Sequence, residues 1–110
     1  MADSSRIAFE AINELAFGGI SSSYALIGTT TQPARIFSIT NSTNENMYIS
    51  FDGSTDHLKI LPNGFKLYDL NTNHGQESRL ELSKNTSVYV KDDGTGATVG
   101  SVFFEVIYAN

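Results

Sequence analysis

The groups with which this 110-residue chain could do chemistry are two histidines, twelve acidic residues and many serines and threonines; it has no cysteine. A metal site needs three or more convergent ligands, and His57 and His74 belong to no His-x-His or His-Glu-x-x-His arrangement. Both read as isolated surface or loop histidines. Asp52-Gly-Ser-Thr-Asp56 has the opening of a calcium loop but lacks the further acidic ligands and the closing Glu, so it reads as a turn. Asp92-Asp93-Gly94 reads as a hairpin turn for the same reason. Asp69, inside an apolar stretch, reads as a structural carboxylate, with no second carboxylate at a spacing that suits general acid–base work. There is no Gly-x-Ser-x-Gly elbow and no Ser-x-x-Lys pair, and Gly18-Gly19-Ile20 lacks the lysine and following helix of a phosphate loop. The sequons at Asn41 and Asn85 read as chance matches. Tyr48 and Tyr89 could stack on sugars, although cross-strand packing is the commoner use of such residues. The expectation is a non-enzymatic protein with no catalytic residue, no cofactor and no metal.

Bulk properties narrow the partners. The net charge is -5, and the seven basic residues are scattered singly (Arg6, Arg35, Lys59, Lys66, Arg79, Lys84, Lys91). Nucleic-acid binders carry a basic stripe, so nucleic acid and anionic membrane are not expected. No apolar run approaches the ~20 residues of a membrane helix, and Met-Ala-Asp-Ser-Ser-Arg has neither the basic nor the apolar region of a signal peptide. A soluble protein made in the cytoplasm is expected.

The elements that must position any site are strands. In Phe37 to Phe51, Phe37, Ile39, Met47, Ile49 and Phe51 alternate with polar residues on either side of the polar run Asn41–Asn46. This period of two predicts a hairpin with those residues facing the core. Further strands are expected at 24–27, 57–61, 65–70, 80–82, 88–90 and 101–108, with Pro62-Asn63-Gly64 as a tight turn and 71–78 as a surface loop. The last strand places Val102, Phe104, Val106 and Tyr108 on one face and Phe103 and Ile107 on the other, so both faces carry apolar side chains and the strand is buried on both or covers one face with another element or subunit. Residues 7–17 mix strand and helix spacing, and extended structure is favoured because Gly18-Gly19 and Ser21-Ser22-Ser23 cut the segment short. About eight short strands at roughly ten-residue spacing predict one all-β domain over residues 1–110, an antiparallel β-sandwich or jelly roll.

Several stretches carry a resemblance: Phe17-Gly-Gly-Ile-Ser-Ser-Ser-Tyr24, Ile39-Thr-Asn-Ser-Thr-Asn44, Tyr48-Ile-Ser-Phe-Asp-Gly-Ser-Thr-Asp-His57, Leu61-Pro-Asn-Gly-Phe-Lys-Leu-Tyr-Asp-Leu70, Thr86-Ser-Val-Tyr-Val90 and Gly100-Ser-Val-Phe-Phe-Glu-Val-Ile-Tyr108. Together they resemble small virion structural proteins of tailed bacteriophages. The resemblance implies a virion component present in many copies and associated with itself and with other virion proteins. A capsid decoration (cement) protein bound to the major capsid protein is the first expectation; a neck or tail subunit contacting portal or tail proteins is the second. A carbohydrate-binding module is the alternative outside this class. Residues 1–20 are expected to be an N-terminal arm or edge strand that contacts another subunit and can be removed without unfolding the sandwich. Ile7, Phe9, Phe17, Tyr24, Phe103 and Ile107 are the candidate interface residues of a homo-oligomer.

Overall fold

The alternating stretches form nine strands in the computed structural model, which describes residues 7–70 and 82–109. They are β1 (Ile7–Phe9), β2 (Asn13–Ala16), β3 (Ala25–Thr29), β4 (Ala34–Asn41), β5 (Met47–Ser50), β6 (Leu58–Ile60), β7 (Gly64–Asp69), β8 (Ser87–Asp92) and β9 (Ser101–Ala109), with one 3₁₀ turn at Phe17–Gly19. One sheet has the order β1-β9-β4-β7, with β2 also paired to β9; the other runs β3-β8-β5-β6. All pairings are antiparallel. If β1 and β2 are taken as one interrupted strand, the chain passes from one sheet to the other at every connection except β5–β6. That order, two interleaved four-stranded sheets, is the jelly roll. The predicted strand around Leu80, the loop 71–78 and His74 lie outside the described residues; Leu82 bridges to Ala34.

Side chains from the two inner faces make the core. Phe37 and Ile39 of β4 and Val102, Phe104 and Val106 of β9 meet Ile27, Met47, Ile49, Ile60, Val88 and Val90 of the second sheet, all buried. The Phe37 ring stacks on Tyr68 with centroids 5.1 Å apart and meets Phe51 and Phe104 edge-on, each at 6.1 Å. These inward residues are the ones that period-two alternation selects.

Within the described residues the predicted strands form, and three of the expected connections cross between the sheets. The 37–51 segment is not a hairpin, because β4 and β5 belong to different sheets. The physical reason is Asn41, which is fully buried rather than exposed in a turn. Its amide donates to the carbonyls of Glu45 (2.8 Å), Ile60 (3.0 Å) and Leu61 (3.2 Å), while its Oδ1 accepts from the Thr43 backbone N–H (2.9 Å) and hydroxyl (2.6 Å). This network pins the crossing between layers that pack about 10 Å apart. The turn at Leu61-Pro62-Asn63-Gly64 forms where predicted: Asn63 has φ 60° and the Gly64 N–H donates to the Leu61 carbonyl at 2.9 Å. Proline at the second position and a left-handed residue at the third are the type II arrangement. It joins β6 to β7 across the two sheets, however, not within one. Asp92-Asp93-Gly94 is likewise a turn but not a hairpin, since β8 and β9 lie in different sheets.

The N-terminal segment is extended, as favoured. From Ile7 onward it is an edge of the chain's own sheet: Phe9 pairs with Ile107 and Leu15 with Val102. Leu15 packs on the core and Ile20 is part of it. The Asn13 side chain sits so close to β3 that a Cβ at Gly28 would lie 2.4 Å from its Cγ. The segment is therefore the edge strand of the two forms expected for it, and because it includes a core residue, removing residues 1–20 is expected to destabilise the sandwich itself.

Candidate interaction surfaces

The side chains first weighed for chemistry are used locally. The His57 Nδ1 accepts the Phe51 N–H at 3.0 Å, and its ring lies against Phe51. In the 52–56 loop, one oxygen of Asp52 accepts from the N–H groups of Ser54 and Thr55 and from the Ser50 hydroxyl, each at 2.8 Å. These donors stabilise the charged form and hold the Asp52 carboxyl well below the usual carboxylate range. Asp92 is buried and accepts the Gly94 N–H at 2.8 Å; Asp93 accepts from Thr95 at 3.1 Å. Among the described residues no group of three or more His, Cys, Asp or Glu is placed to hold a metal. No helix among them is long and apolar enough to cross a membrane.

The outer face of the second sheet carries a polar and aromatic cluster. Tyr48 on β5 stands opposite Lys59 of β6 and Lys91 of β8. The two ammonium groups lie 5.8 and 5.9 Å from the centre of its ring, and Lys91 is also 4.8 Å from that of Tyr24. Lys91 pairs with Asp56 at 3.1 Å, and the Tyr24 hydroxyl donates to the same carboxylate. Partial burial and then the Asp56 carboxylate push the Tyr24 phenol far up, whereas that phenol and Lys91 pull Asp56 down. A sugar stacked on Tyr48 would have to displace cations already held by its ring. Tyr89 packs against the Gly53 backbone, in the ordinary structural use of such a residue.

The outer face of the first sheet is of a different kind. Antiparallel register places Phe9, Ile107 and Ile36 in one row, Glu105, Ser38 and Leu67 in the next, and Glu14, Phe103, Thr40 and Phe65 in a third. Phe9 is 71% exposed, Phe65 65%, Leu67 59% and Ile12 56%. At ~200 Å² for a phenylalanine side chain, Phe9 and Phe65 alone leave roughly 270 Å² of apolar surface in water. Ile12, Leu67 and Ile7 carry the patch to the upper range found on single-chain proteins, where such patches are commonly functional. A shallow groove of about 180 Å³ crosses the face between Phe9, Ile12, Ile36, Leu67 and Ile107. That is close to the ~150 Å³ that holds one benzene ring, so it suits one apolar side chain rather than a metabolite. Glu105 stands beside it, 3.4 Å from the Ser38 hydroxyl.

Of the interface residues singled out from sequence, Ile7, Phe9, Phe103 and Ile107 come together on this face. Phe17 lies off it, where its N–H bonds the Gly100 carbonyl ahead of β9, and Tyr24 belongs to the cluster on the other sheet. Sequence reasoning missed Ile12, Ile36, Phe65 and Leu67. The alternation of Phe65 and Leu67 is visible in the sequence, but only the sheet order reveals that their side of β7 is the outer one. Comparison of the chain with protein-family models, with curated proteins and with solved structures finds no match to any of them.

Proposed function

We propose that this chain is a non-enzymatic virion structural protein of a tailed bacteriophage, a capsid decoration subunit that seats the outer face of its β1-β9-β4-β7 sheet on a neighbouring virion protein. The observation that carries the reading is that face: five large apolar side chains (Ile7, Phe9, Ile12, Phe65 and Leu67), each more than half exposed, lie on or beside the sheet together with the half-buried Ile36, Phe103 and Ile107. Burial of apolar area on a preformed surface is what a cementing contact needs, and the arrangement asks for no reactive group. The jelly-roll topology is common among viral shell proteins, which supports the reading by analogy of fold alone. The sequence resemblance points the same way.

The test is to count the chain in purified particles by quantitative mass spectrometry and to repeat the count with Phe65→Ser/Leu67→Ser. A copy number on the scale of the whole shell, lost in the double variant, supports decoration. A number matching a single ring would move the protein to the neck or tail. Its absence from particles would overturn the proposal.

A further inference from the structure

The two sheets have four edges, and the described residues guard three of them. The β1/β2 edge is interrupted between Phe9 and Asn13, β3 has a register irregularity between Leu26 and Gly28, and β6 is only three residues long. Short strands, bulges and breaks are the usual devices that stop a sheet from adding a foreign strand. β7 has none of them: it runs unbroken over six residues, pairs with β4 without irregularity and contains no proline. The Leu70 N–H donates to the Arg35 carbonyl at 2.8 Å, which fixes the hydrogen-bonding parity of the β4–β7 pair. Residues 64, 66 and 68 therefore face β4, and the backbone groups of Phe65 and Leu67 point outward along an edge that pairs with no further described strand.

We infer that β7 is a self-association edge: two copies of this chain pair their β7 strands antiparallel about a two-fold axis through Leu67, extending the first sheet across both. Lys66 sets the register. Centred on residue 66, the pairing would place two ammonium groups directly opposite one another, which antiparallel sheets disfavour. Centred on Leu67, it sets Leu67 against Leu67, Phe65 opposite Asp69, and each Lys66 opposite the Tyr68 ring of the other copy. Lys66 has no ion pair with a described residue, and Tyr68 is already stacked on Phe37, so an ordered ring meets an available cation. Lysine near an edge usually deters pairing; here it excludes the competing register and is satisfied in this one. The joined sheet would also make one continuous apolar surface from Phe65 and Leu67 of both copies. The inference does not depend on what that surface docks against.

A pairing of about five residues covers less than the ~800 Å² per partner of a standard interface, so a reversible, concentration-dependent dimer is expected. Sedimentation of the full chain over a series reaching ~1 mM reads it directly. The mass should rise from 12.0 kDa toward twice that value, whereas Leu67→Lys, at a position already exposed in the monomer, should stay at 12.0 kDa. Because the chain has no cysteine, single substitutions give a clean register test. Leu67→Cys places two sulfurs on the axis, where facing Cα atoms are ~5.5 Å apart, within disulfide reach. Phe65→Cys puts them four residues out of register, ~14 Å apart along the strand. Mild oxidation should therefore link Leu67→Cys and leave Phe65→Cys unlinked. A wild-type chain that stays at 12.0 kDa throughout, a Leu67→Lys chain that dimerises like wild type, or equal linking of both cysteine variants would overturn the inference.

Discussion

Asn41→Ala should cost this fold about 3–5 kcal/mol, although the side chain touches neither outer face. The Asn41 side chain makes five hydrogen bonds inside the sandwich, three as donor to carbonyls and two as acceptor from Thr43. Each neutral bond contributes about 1 kcal/mol net, and a buried partner left unsatisfied costs about 1–3 kcal/mol. Water entering the vacated space would restore some of the bonds to the carbonyls nearest the surface, which keeps the total below the simple sum. A loss of that size corresponds to a fall in Tm of roughly 12–25 °C for a domain of this length. Urea unfolding followed by far-UV circular dichroism would measure it, since the chain has no tryptophan but is rich in strand. Thr43→Val should cost less, and the double variant should fall short of the sum because the two residues share bonds. A loss below about 1 kcal/mol for Asn41→Ala would refute the view that this amide holds the crossing between the sheets.

Gly100→Ala should be among the most damaging single changes. Gly100 has φ 92°, and a Cβ there would sit 2.1 Å from the Ser42 carbonyl oxygen, so backbone strain of about 1–3 kcal/mol adds to a clash that only main-chain movement relieves; a thermal melt within a few degrees of wild type would contradict it. The pH response has a definite sign. Asp52 is held below its unfolded value, near 3.9, so the stability it contributes is fully present above that value and is lost as pH falls through the folded one. Urea midpoints from pH 5 downward should fall more steeply for wild type than for Asp52→Asn, and parallel curves would show that the loop carboxylate adds nothing.

The alternating positions were legible because burial alone dictates them: Ile39, Ile49, Val90 and Phe104 lie inward, as a period of two requires. The pairing of strands was not. Asn41 has the residue type of a turn, and its buried role depends on carbonyls 19 and 20 residues further along, which no local pattern reveals. The conflicting signals in 7–17 were settled by β9, whose free edge offers an extended segment a hydrogen-bonded partner that a short isolated helix would lack. The apolar residues on the second face of β9 were legible too, and Phe103 and Ile107 lie half-buried on the outer face of the first sheet. The extent of that surface was hidden, because β7 joins it only through a sheet order set by crossings far away in sequence.

If the outer face of the first sheet is what this protein works with, its exposed side chains decide whether it enters particles. The deciding measurement is the copy number of the chain in purified virions, for wild type and for Phe65→Ser/Leu67→Ser. Both residues are exposed in the isolated chain, so the double variant should fold with wild-type stability. The expected result is a shell-scale copy number that collapses in the variant while its Tm is unchanged. Virions that lack the protein, or that retain the variant at wild-type level, would contradict it.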